Sequence, residues 1–94
     1  MNIRRLVLDV DKAIAQPAII DLTERIEAVP GVEAVNVTVT EIDIETVGMN
    51  VTVEGERIDH IKLLGAIEDA GAVVNSIDQV VSGDRLIEGV PRAR

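Results

Sequence analysis

The chain has 94 residues, a formal net charge of -8, no cysteine, no Phe, Trp or Tyr, and one histidine. That length holds one small domain, and the missing residue types rule out disulfides, thiolate metal sites, cysteine nucleophiles and aromatic stacking platforms. The acid excess repels phosphate backbones and so disfavours nucleic acid as a partner.

Apolar residues make up 47% of the chain, and they are aliphatic. This is ample for a core rich in β-branched strands. Seven Arg stand against two Lys. No apolar run approaches the ~18 residues of a membrane span, and no signal-peptide layout opens the chain. Together with the absence of cysteine, this gives a cytoplasmic protein without a membrane partner as the expectation.

Ile3 to Val10 reads as a first strand. Leu6, Leu8 and Val10 take one parity, Ile3 and Val7 the other, and apolar residues on both parities mark a central strand. Pro17 suits the first turn of a helix, along which Ile19, Leu22, Ile26 and Val29 recur at helical spacing. Pro30-Gly31 ends it.

In the second strand Val35, Val37 and Val39 alternate with Asn36, Thr38 and Thr40. The phase then flips: Ile42 and Ile44 are apolar, while Glu41, Asp43 and Glu45 take the valine parity. Either a β-bulge absorbs one residue, or the strand outruns its core and shows its other face to a partner. Gly48 marks a turn before a third strand of Met49, Val51 and Val53. Asp59 is a candidate N-cap for a second helix, with Ile58 and Leu63 as a hydrophobic staple. Ile61, Leu64, Ile67 and Ala70 form its expected stripe, and Gly71 its cap. A fourth strand covers about 73–81, and the domain is expected to fill residues 1–86, leaving 87–94 as a short tail.

The order is βαββαβ with two amphipathic helices. It predicts an α+β, ferredoxin-like sandwich: a four-stranded antiparallel sheet with both helices on one face. The uncovered face would then show Asn36, Thr38, Asn50 and Thr52.

Several segments resemble an archaeal family of uncharacterised proteins, DUF211. They are Ile3-Arg4-Arg5-Leu6-Val7-Leu8-Asp9-Val10, Gly31-Val32-Glu33 leading to Val35-Asn36-Val37, Glu41-Ile42-Asp43, Val51-Thr52-Val53-Glu54-Gly55, and Ser76-Ile77-Asp78-Gln79-Val80-Val81-Ser82-Gly83. The resemblance spans roughly residues 2–88. It implies the same ferredoxin-like fold and a homo-oligomer of ring-like form, and it carries over no catalytic residue. Where relatives carry a Lys-Pro-His-Glu-Pro-like segment, this chain keeps only Lys12 and Pro17. Asn75 stands where some relatives carry His.

Asp9, Asp11, Glu41, Asp43 and Glu45 would gather at one end of the sheet. Such oxygen ligands suit a hard cation, Ca²⁺ or Mg²⁺, although acids on a solvated strand face are the commoner case. Ile42 and Ile44, if they face away from the helices, need cover, and a second subunit is the expected cover. A bulge returning them to the core is the alternative. His60 beside its cap has no partner for acid–base work. Asp78 is expected to pair with Arg4 or Arg5, a structural role more often than a functional one.

The functional expectation is a non-enzymatic oligomeric module binding a divalent cation or small ligand near a subunit interface, in regulation or assembly. The alternative is a purely structural or partner-binding assembly protein. A Mg²⁺-dependent enzyme using Asp9 or Asp78 with Asp43 stands third.

Overall fold

A computed structural model describes residues 1–89 of the chain. The elements are β1 (Ile3–Ala13), α1 (Ile19–Glu27), β2 (Val32–Ile42), β3 (Thr46–Gly55), α2 (His60–Asp69) and β4 (Val73–Ser82). The four strands form one sheet in the order β2-β3-β1-β4, every pairing antiparallel. This is the ferredoxin-like α+β sandwich, with β1 central, as its two apolar parities predict, and β3 central beside it.

Leu6, Leu8, Val10, Met49, Val51 and Val53 are buried from the sheet, and Leu22, Ile26, Leu63 and Ile67 from the helices, all in one cluster. Both helices therefore lie on the same sheet face. The other face carries Asn36 opposite Thr52 and Thr38 opposite Asn50.

Capping follows the residues closely at α2. Asp59 accepts a hydrogen bond from the Lys62 backbone N–H at 3.1 Å. At the other end Gly71 takes φ +97°, its N–H donates to Glu68 O, and the Ala72 N–H donates to Ile67 O. That double closure needs a left-handed residue, and glycine adopts it without a Cβ penalty. The stripe sits differently from its prediction: Leu63 and Ile67 are buried while Ile61 is exposed. Pro17 precedes α1 rather than opening it, since Ala18 is the N-cap.

The pairing slips at defined places. Ile3 and Arg5 of β1 face the consecutive Ser82 and Val81 of β4. Arg4 is the extra residue, so Ile3 joins Leu6 in the core instead of taking the parity of Val7. In β2, Val39 faces Met49 and Glu41 faces Gly48, which makes Thr40 the extra residue. β4 slips twice against β1, at Asn75 and at Asp78.

Thr40 resolves the phase flip of β2 in favour of a bulge. Ile42 pairs with Val47, which is buried, so Ile42 points to the helix side rather than the open face. It does not reach the core: Val35 and Val37 pack against the core, whereas Ile42 is 72% and Ile44 89% exposed.

Two substitutions test the close packing. A Cβ on Gly55 would overlap the Gly31 carbonyl oxygen and stand 2.9 Å from Glu33 N, whereas a Cβ on Gly65 meets nothing. Gly55→Ala is expected to cost about 2–3 kcal/mol in urea denaturation, and Gly65→Ala, within a helix, to add ~0.5–1 kcal/mol. Deleting Thr40 makes the β2–β3 ladder continuous. Its expected effect is under about 1 kcal/mol by the same assay.

Candidate functional site

The bulge at Thr40 shapes a polar depression on the open face of the sheet. In a bulge two consecutive residues oppose one partner and can present side chains to the same side. Here Thr40 and Glu41 stand over Gly48 of β3, and Asp11 of β1 faces Gly48 from the other side. Around the point that a Cβ on Gly48 would take, Asp11 Oδ1 lies at 3.5 Å, Glu41 Cβ at 3.6 Å and Thr40 Oγ1 at 3.6 Å. Glycine thus leaves the floor bare. Asp9, Thr46 and Asn75 complete the walls of a cavity of 220 Å³.

Of the five carboxylates expected to converge, the fold brings three to this depression: Asp9, Asp11 and Glu41. Asp43 and Glu45 lie in the β2–β3 connection, beside Ile44 and Thr46. Asp43 is occupied there: its Oδ1 accepts the Ile44 N–H at 2.7 Å, and its own N–H donates to Thr46 O at 2.8 Å. Among the described residues no three Asp, Glu or His side chains stand close enough to form a metal cage. A hard cation at this depression would need further oxygens from water, a ligand or another chain.

The other singled-out residues separate from the depression. Asp78 is exposed and accepts the Ser76 hydroxyl at 2.7 Å, so it pairs with neither arginine. Arg4 instead donates to Gly83 O at 2.7 Å and to Glu56 at 3.4 Å, and Arg5 to Glu54 and Glu88, each at 2.7 Å. The Asp9, Asp43 and Asp78 set of the enzyme reading is thereby dispersed. His60 opens α2 behind its cap. Lys12 is buried, and its ammonium donates to Ala13 O and Ile14 O, both at 3.0 Å, which closes the end of β1.

Reasoning from the sequence overlooked Thr40, Thr46, Gly48 and Asn75 as lining residues. Their signal was present but indirect. A strand-borne glycine opposite an acidic residue marks a place where side chains or a ligand approach the backbone closely. Asn75 reaches the open face through a slip in β4 that alternation alone does not reveal.

No helix among the described residues is long and apolar enough to cross a membrane. A family model described as DUF211, uncharacterized ArCR, matches residues 4–94. An uncharacterized protein of Methanocaldococcus jannaschii is 41% identical over 89 residues, which is 95% of this chain and 91% of the relative. The matched stretch contains β1 from Arg4 onward, the Thr40 bulge, Gly48 and β4, so it spans the residues that line the depression. With that coverage and identity, the chain belongs to the archaeal DUF211 family.

Proposed function

We propose that this chain is a non-enzymatic, oligomeric binding module that takes a divalent cation or small polar ligand beside a subunit seam, in a regulatory or assembly role. One observation carries the reading: Asp11, Thr40 and Glu41 are set around the bare backbone of Gly48. Every polar group on the depression's walls offers oxygen, from carboxylates, threonine hydroxyls or an asparagine carbonyl. That is the donor set of a hard cation, which takes roughly 6–8 oxygen ligands as Ca²⁺ or about six as Mg²⁺.

The seam follows from the neighbouring residues. Ile42 succeeds Glu41 directly, and Ile44 tops the adjoining connection, both largely uncovered. Ile42 is uncovered on the helix side, but Ile44 adjoins Thr46 on the depression's wall, so a second copy covering Ile44 would come alongside the depression and could supply the oxygens one chain lacks. The absence of a cage among the described residues favours the second reading, a purely structural assembly in which the acids only keep an acidic protein soluble.

Native mass spectrometry of the metal-free protein, before and after Ca²⁺ and then Mg²⁺, separates the two. The cation reading expects ions in fixed proportion to subunits, with Asp11→Asn weakening binding roughly ten-fold or more and Asp43→Asn affecting it less. An assembly without ions supports the structural reading. Ile44→Asp is expected to yield monomers in sedimentation velocity while the subunit's circular dichroism is unchanged. A wild-type monomer in every condition contradicts both.

A further inference from the structure

At the opposite end of the open face from the acids, β1 presents a guanidinium held on several sides. The Arg5 side chain is only 12% exposed. Its Nε donates to Glu54 Oε2 at 2.7 Å, its Nη1 to Glu88 Oε1 at 2.7 Å, and its Nη2 to Glu88 Oε2 at 3.4 Å. Gln79 Oε1 accepts from Nη1 at 3.5 Å. Glu54 uses the Nε side of the planar fork, and the two terminal nitrogens form a flat pair suited to one carboxylate.

Val81 lies opposite Arg5 in the β1–β4 register. It is buried but stands outside the core beneath the helices. The irregular segment after Gly83 turns back beside it and brings Glu88 to Arg5. Gln79, Val81 and Ser82 on the strand and Ile87, Glu88 and Gly89 on the segment enclose a depression of 350 Å³.

We infer that Arg5, Gln79 and Val81 form a receptor for a short apolar–acidic peptide segment, and that the chain's own Ile87-Glu88 is its resident occupant, an autoinhibitory strap. The occupant shows what the site accepts: a carboxylate on the guanidinium fork, preceded by an aliphatic residue that lines the depression with Val81 while remaining 59% exposed. A competing segment from another polypeptide must displace the strap, so its apparent affinity falls with the fraction of chains in which the strap is seated. The strap also responds to acid. The groups facing Glu88 are Arg5 from β1 with Glu54 of β3 behind it, and neutral Gln79 from β4. The Arg5 hydrogen bond, and after it the Arg5 charge, holds the Glu88 carboxyl below the usual carboxylate range. Its contribution is therefore complete above the ordinary glutamate pKa and is lost as pH falls through the depressed one.

The test is an NMR titration of full-length ¹⁵N-labelled protein with an end-blocked tetrapeptide of the sequence of residues 86–89. Glu88→Gln is expected to bind it with shifts at the Arg5, Gln79 and Val81 amides, and wild type at least about three-fold more weakly. Arg5→Gln is expected to show no such shifts. No binding by Glu88→Gln at millimolar peptide, or equal binding by Arg5→Gln, overturns the receptor. Carboxyl titration of wild-type Glu88 reads the occupant directly: a midpoint below ordinary glutamate supports the strap, and an ordinary midpoint removes it.

Discussion

Everything in this molecule depends on keeping one sheet face continuously apolar under two short helices. The helices have 9 and 10 residues, and with no aromatic side chain in the protein, aliphatic burial alone must hold the layers together. The core is accordingly close-set: Leu8, Val10, Leu22, Ile26, Met49, Val51, Val53, Leu63 and Ile67 are shielded almost completely from water. Strict alternation along strands of 10 or 11 residues would have brought charged residues onto that face. The register slips prevent it. Each inserts one residue on the open side and restores the phase beneath the helices.

The slips also explain how the open face acquires its chemistry. Because Arg4 is inserted, Arg4 and Arg5 both stay out of the core while Ile3 remains in it. Because Thr40 is inserted, Thr40 and Glu41 share the wall over Gly48. Asn75 and Asp78 do the same along β4, where Asn75 joins the acidic depression and Asp78 turns to Ser76. Packing on one face and polar clustering on the other are thus two results of the same constraint. Irregular edges also hinder indiscriminate pairing with other chains, which matters for a sheet whose outer strands carry exposed Val39, Ile42, Ile77 and Val80.

The sequence made the fold legible because hydrophobic periodicity survives small slips. β1's apolar runs, the valines of β2 and β3, the Asp59 cap and the Gly71 closure each act within a few residues. What sequence could not locate is any feature that depends on which residue is the inserted one. Ile3 was assigned the parity of Val7 because alternation was counted across Arg4. The side taken by Ile42 stayed open, because alternation alone does not show whether the phase change in β2 is a bulge. Asp78 was paired with the arginines because the β4 register was unknown, and Glu88 was left in a tail because seven residues of irregular chain from Gly83 to Gly89 give no periodic signal. The acid cluster was half visible. Asp9, Asp11 and Glu41 line one depression without forming a cage, but Asp43 is drawn into the connection by its own backbone contacts.

One consequence of this layout concerns charge. Along β1 the open face runs from Arg5 to Asp9 and Asp11, so opposite charges sit on one strand about 13 Å apart at ~3.3 Å per residue. That separation exceeds the Debye length of about 8 Å at physiological ionic strength. Each end therefore keeps its own local field. The acidic end keeps a negative potential that the arginines do not cancel, and Arg5 holds a carboxylate although the whole chain carries a net charge of -8. Glu54 and Glu88 flank the basic end and balance it locally. An acidic and a basic cluster can stand on one small sheet because the strand is long enough to separate them.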